Sequence, residues 1–286
     1  MLRTIALRPP PSVRVLDDRD LDEALAICDR DLAANVFVAS RIRAGGLDPG
    51  SLGAQIWGYY SGHELESLCY AGANLVPVEA TPAAVRAFAE RARKQGRRCS
   101  SLVGPAAAVK DLWTFLRPYW GPARAIRTAQ PVMAISGPPQ VAADSAVRQV
   151  RPDELGILLP ACVAMFTEEV GVSPAGGDGG ALYRARVSEL ISGGRAFARI
   201  EGGRVIFKAE IGAVTPNACQ VQGVWVNPRV RGRGLAAPGM AAVVAAAQRM
   251  FAPLVTLYVN DFNLPARAAY TRTGFTEVGT FMSVLF

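Results

Sequence analysis

The sequence predicts an α+β protein organised as two tandem halves. Three observations carry this. The chain has 286 residues, which suggests two domains, and it is 50% hydrophobic, enough for real cores. Ser136 to Ser145 (SGPPQVAADS) combines two prolines, small residues and no periodicity, as a linker would. On both sides of it the same order of elements recurs: helices, a hairpin, then alternating strands and helices. The domains expected are therefore 1–138 and 145–286.

In the first half, residues 13–16 form a short strand. Asp18 to Ala34 is an amphipathic helix, with Leu21, Leu25, Cys28 and Leu32 three or four apart, and Asn35 to Gly46 continues as a second helix. Gln55–Tyr60 and Leu65–Ala71 form a hairpin across Ser61-Gly62-His63-Glu64. Leu75–Val78 is a strand. Pro82–Lys94 is a basic helix with Thr81 as N-cap and Gly96 as stop. Ser100–Val103 is a strand and Ala106–Leu116 a helix.

In the second half, Val147–Val150 is a strand, followed by helices Glu154–Phe166 and Leu182–Ile191. Strands Ala196–Ile200, Val205–Ile211 and Cys219–Val226 come next. Leu235–Phe251 is an Ala-rich helix, Leu254–Val259 a strand, Leu264–Thr273 a helix, and Phe281–Phe286 a final strand. Pro174–Gly180 (PAGGDGG) is a glycine cluster that reads either as a lid or as a plain loop.

One stretch stands apart. NPRVRGRGLA, residues 227–236, joins an apolar strand to the Ala-rich helix through a basic glycine turn. A helix N-terminus presents free N–H donors and the positive end of its dipole, and glycines let a phosphate approach closely. Arg229, Arg231 and Arg233 add charge with no acid among them.

Together with NDFNLPARAAYTRTGF, residues 260–275, this stretch resembles the GNAT superfamily of acetyl-CoA-dependent N-acetyltransferases. Arg229, Gly232 and Gly234 match the family's pyrophosphate loop. Asn263, Ala266, Tyr270, Gly274 and Phe275 match its second motif. The resemblance covers residues 146–286. It implies a GNAT fold, a mixed and mostly antiparallel sheet flanked by helices. The first half then reads as a degenerate GNAT-like copy or as an unrelated α/β domain; its NLVPVEATPAAV, residues 74–85, has no Gly-x-Gly.

The resemblance implies acetyl transfer from acetyl-CoA to a primary amine by direct attack. It places the cofactor against Val224, Trp225, Val226, Arg231, Gly232, Arg233, Gly234, Leu235, Ala236, Asn260, Asn263 and Tyr270. Tyr270 would protonate the leaving thiolate. A thiol pKa of about 8.5 against a tyrosine near about 10 makes that transfer modestly uphill; a core role for Tyr270 is the competing reading. Asn263 caps its helix, contacts the cofactor, or does both. The strand before the loop, CQVQGVWV, lacks the glutamate that many family members carry there. Glu168, Glu169 and Glu210 remain as carboxylates that could assist deprotonation of the acceptor, or that are simply solvated. The missing strand carboxylate also motivates an alternative, a non-catalytic acyl-CoA-binding or sensing module with a partner-binding first half.

The formal charge of +7 suits an anionic cofactor. No Lys/Arg tract is interleaved with aromatics, so no specific nucleic acid is expected. Five scattered cysteines without CxxC spacing read as reduced, buried thiols of a cytoplasmic protein. A single histidine, His63, disfavours a zinc site and a Ser-His-Asp triad, and no metal is expected. No apolar run is long enough to span a membrane. The expected partner is a small-molecule or protein amine, and the expected state is monomer or homodimer.

Overall fold

The computed structural model describes residues 10–286 except 175, 177 and 178. Three of the seven positions of Pro174–Gly180, the stretch read as a lid or a plain loop, lie outside the described residues. The chain divides into two compact units, Met1–Val132 with Gly279–Phe286, and Met133–Val278. Relative to a split at 138 and 145, residues 133–138 fall in the second unit and 279–286 in the first.

In chain order the first unit contains β1 (Ser12–Val15), α1 (Leu21–Cys28), α2 (Leu32–Gly45), α3 (Pro49–Leu52), β2 (Gln55–Ser61), β3 (Glu64–Ala71) and β4 (Asn74–Val78). Then come α4 (Pro82–Gln95), β5 (Ser101–Pro105), α5 (Ala106–Trp120) and most of β6 (Ala125–Ile135). Strands β1 to β4 pair antiparallel in sequence order, and β4 pairs parallel with β5. One core packs α1 and α2 on the sheet, through Ile27, Val38, Ile42 and Leu68. The other packs α4 and α5, through Val85, Phe88, Val109 and Leu112. Ser61 pairs with Glu64 in the hairpin, which leaves His63 in the turn.

The second unit contains β7 (Arg148–Gln149), α6 (Leu155–Val170), α7 (Ala181–Ser192), β8 (Ala196–Glu201), β9 (Arg204–Val214) and β10 (Ala218–Val226). It continues with α8 (Ala236–Met250), β11 (Leu254–Tyr258) and α9 (Leu264–Thr273), and the chain ends in β12 (Thr276–Leu285). Strands β7 to β10 pair antiparallel in order, and β10 pairs parallel with β11. Phe207, Ile211, Met240, Val244 and Leu257 form the core under α8. Leu158, Val187, Ile191 and Ala198 lie buried where α6 and α7 cover the sheet. Residues 281–285 of β12 pair antiparallel with β5, and Met282 and Val284 enter the first unit's core.

A side-chain device repeats in both units. Arg14 on β1 donates hydrogen bonds of 2.6 and 2.7 Å to Asp20, six residues on. Arg148 on β7 does the same to Glu154 at 2.6 and 2.8 Å, again six residues on. In each case the carboxylate also accepts the backbone N–H three residues before it, from Asp17 at 3.0 Å and Arg151 at 2.8 Å. Both devices fix a strand to the 3-10 turn that starts the first helix of the unit. Arg148 holds the Glu154 carboxyl down to a pKa of about 2.

Residues 137–144 are tied to the second unit. Gln248 donates to the Gly137 carbonyl, Gln140 N–H to Thr273 O, and Asp144 N–H to Pro238 O, all within the second unit. Strand β6 was not expected from the sequence, because Pro131 interrupts its apolar run.

Candidate active site

The site is built where β10 hands over to α8. The parallel ladder of β10 and β11 pairs Ala218 with Leu254, Cys219 with Val255 and Gln220 with Thr256. Beyond that point the two strands line opposite sides of a cavity of about 770 Å³. On the β9 side, β10 carries a bulge: Gln222 faces Glu210 and Trp225 faces Lys208, so three steps on one strand meet two on the other. Gly223, at φ 60°, makes that bulge possible.

The turn after β10 leaves a helix end open. Gly232 and Gly234 have φ of 78° and 74°, and a Cβ on either would meet nothing within 4 Å. Leu235, the N-cap of α8, makes no side-chain capping bond. The first-turn donors of α8 therefore lie beside an open, positively charged turn, which fits a diphosphate.

Helix α9 forms a third wall. Asn263 caps it by accepting the Ala266 N–H at 3.2 Å, with Pro265 in the first turn. Tyr270, two turns on, lines the cavity and is only 6% exposed. Burial raises its pKa well above the usual tyrosine value, and the nearby Glu169 carboxylate adds to the shift. Asn260 is buried beside the same wall.

Helix α6 supplies the fourth wall through Met165, Glu168 and Glu169. Both oxygens of Glu168 are engaged: one accepts from Trp225 Nε1 at 3.2 Å, the other from Arg231 at 2.7 Å. Arg231 also donates to the Val226 carbonyl at 2.9 Å. These contacts strap α6 to the glycine turn. Arg231 thus reaches toward a carboxylate here, and Glu168 serves as a partner for two donors.

Glu210 lies behind the wall. It is buried and ion-paired with Lys208, and one of its oxygens is 3.1 Å from where a Cβ on Gly223 would stand. Burial opposes the charge on Lys208, but Glu210 and Cys162 outweigh it and raise its pKa. Cys162 Sγ is 3.3 Å from Lys208 Nζ, and burial pushes this thiol up to about 11.

The cavity brings together Val224, Trp225, Val226, Arg231, Gly232, Gly234, Leu235, Ala236, Asn260, Asn263, Tyr270, Glu168 and Glu169. Arg233 is exposed and does not line it. The sequence reading missed Met165, Gly223, Tyr258 and Phe262. Gly223 had a signal, a glycine inside an apolar strand, which marks a bulge. Tyr258, Phe262 and Met165 had none, because nothing in their local pattern separates a cavity wall from a surface or a core. Among the described residues, no group of three or more His, Cys, Asp or Glu is placed to hold a metal ion, and no helix is long and apolar enough to cross a membrane. All five cysteines are free and buried.

Residues 181–275, which contain the glycine turn and α9, match the profile of the acetyltransferase (GNAT) family. The C-terminal half carries a GNAT domain. Residues 54–158 match a domain of unknown function, DUF4081. A search of curated proteins returns no significant match. Among solved structures, the fold is similar to a GNAT-family acetyltransferase from Colwellia psychrerythraea, at 13% identity over 96% of this chain and 99% of that one, with a TM-score of 0.58. It is similar to a GCN5-related N-acetyltransferase from Sphaerobacter thermophilus at 16% identity, 96% and 94% coverage, and a TM-score of 0.55. It also resembles a tandem GNAT protein from the clavulanic acid biosynthesis pathway, at 16% identity, 96% and 98% coverage and a TM-score of 0.51. The architecture is a tandem GNAT fold.

Proposed function

We propose that the second unit is an N-acetyltransferase that moves an acetyl group from acetyl-CoA to a primary amine by direct attack. The observation that carries this is the joining of three features in one cavity: an uncapped helix end behind Gly232 and Gly234, strands that part beyond Gln220 and Thr256, and a buried Tyr270. The thioester supplies an activated carbonyl and a thiolate leaving group. Gly232, Gly234, Leu235 and Ala236 would hold the diphosphate, and the end of β10, Val224 to Val226, would flank the acyl arm. Donors fixed beside a developing oxyanion are a large catalytic contribution.

Tyr270 remains protonated at neutral pH, as a proton donor to the thiolate must be. Its raised pKa also makes it a weaker acid than an exposed tyrosine, so donation is more uphill than residue type alone implies. Glu169, at the cavity wall, favours a cationic amine. A lysine-type amine, with a pKa of about 10.4, must lose its proton before attack. Water carries that proton, assisted by Glu169.

The test is to incubate the full chain with acetyl-CoA and pooled amines, including polyamines, amino acids, aminoglycosides and peptides, and to follow free thiol. Amine-dependent thiol release supports the reading. The absence of any carboxylate on β10, where Gln220 and Gln222 stand, favours the second reading, a binding or sensing module. Stoichiometric acetyl-CoA binding with no turnover across the panel would select it.

A further inference from the structure

The chain's net charge is concentrated in one part of the first unit. Residues 79–132 hold ten Lys/Arg and three Asp/Glu, a net +7, which equals the formal charge of the whole protein. Much of it lies on α4 and just past it: Arg86, Arg93 and Lys94 are exposed on the helix, and Arg97 is exposed directly after its Gly96 stop. Glu90, between them, is ion-paired with Arg93 at 2.6 Å.

Aromatic rings from other elements are interleaved with these cations. Arg86 stands 5.9 Å from the ring centre of Phe115, Arg93 5.1 Å from Tyr119, and Arg97 4.6 Å from Phe286. Phe115 and Tyr119 are 41% and 61% exposed. The stripe leads to a cavity of about 450 Å³ lined by Trp57, Arg98 and Trp120; the Trp120 ring packs 5.8 Å from Phe286. The sequence shows no such interleaving because the cations sit on and just after α4 and the rings on α5 and at Phe286.

We infer that this face of the first unit binds single-stranded nucleic acid. Guanidinium groups neutralise phosphates, and exposed rings beside them stack on unpaired bases, which is how sequence-tolerant single-strand sites are built. At the edge of the cavity, the half-buried Trp120 offers one further ring. An acidic polypeptide would answer the charge but leaves the exposed rings unused, so nucleic acid is the better fit.

The test measures anisotropy of short labelled oligoadenylate RNA, and of oligo(dT), titrated with the full chain over a range of salt. Expected is binding that weakens steeply as salt rises. The Arg93→Glu/Arg97→Glu double variant should weaken it by about tenfold or more. Tyr119→Ala should weaken it by about tenfold at fixed salt, and Tyr119→Trp should retain it. Circular dichroism checks that each variant is folded. Absence of binding at low salt overturns the inference. So does RNA binding that is unchanged in Tyr119→Ala, or equal displacement by polyglutamate, which would assign the face to acidic protein.

Discussion

Both units contain a strand that hands over to a helix beside a parallel neighbour: β4 to α4 with β5, and β10 to α8 with β11. Only the second leaves room there. In the first unit the parallel ladder pairs Asn74 with Ser101 and Leu75 with Leu102. Just beyond it, Pro77 lies 3.4 Å from where a Cβ on Gly104 would stand, so its ring packs against the neighbouring strand. The turn into α4 is closed by its own side chains. Thr81 caps the helix by accepting the Ala84 N–H at 3.3 Å. Ser67 donates to the Glu79 carbonyl at 2.7 Å, and Asn35 donates to the Glu79 carboxylate at 2.9 Å. In the second unit the corresponding turn has Gly232 and Gly234, no capping side chain and no acid. The comparison teaches that this topology offers a site only if the helix donors are left unspent and the parting strands are left unfilled.

The largest expected effect falls on Tyr270. Tyr270→Phe should cut turnover by about a hundredfold or more while leaving the affinity for acetyl-CoA nearly unchanged. An unchanged rate would remove the phenol from the chemistry and leave the second unit's cavity as a binding site alone. Next, Gly232→Asp should weaken acetyl-CoA binding by about tenfold to a hundredfold in calorimetry. It forces a side chain into the left-handed region and adds a negative charge at the helix end. Equal heats for variant and parent would break the contrast between the glycine turn and its closed counterpart.

A third prediction concerns the Arg–carboxylate device. The pKa of Glu154 is about 2 in the folded chain, below its unfolded value of about 4.3. Its contribution to stability is therefore complete above that unfolded value and is lost as pH falls toward about 2. Arg148→Met should lower stability at neutral pH and flatten this acid limb in denaturant titrations. A variant with the parent's pH profile would mean that the ion pair contributes nothing beyond packing. The smallest effect is expected at Thr81. Thr81→Ala should cost about 1 kcal/mol, the usual loss for an N-cap, and calorimetry should still give one acetyl-CoA per chain. A second equivalent would show that the cap alone keeps the first unit closed.

The readable parts of the fold were those governed by local chemistry. Helix α9 begins at Asn263 with a proline in its first turn and stops at Gly274, and its bounds follow from those residues. Thr81 and Gly96 likewise bracket α4. Strand β6 was hidden because Pro131 breaks its pattern. The first five residues of β12, Thr276 to Thr280, were hidden because they are exposed and carry no alternation. At the site, the glycine turn and Tyr270 were legible. The engagement of Glu168 by Trp225 and Arg231 was not, because Glu168 and Arg231 are 63 residues apart.

The sequence by itself determined the alternation of strands and helices outside β6, the glycine turn ahead of the Ala-rich helix and the capped start of α9, since each depends on backbone preferences within a few residues. Tertiary structure alone decided that Glu168 meets Trp225 and Arg231, that Pro77 packs against Gly104 while β10 and β11 line a cavity, and that Arg86 and Arg93 of α4 stand against rings of α5. Those outcomes depend on side chains far apart in the chain occupying the same space, and no local pattern encodes such a meeting.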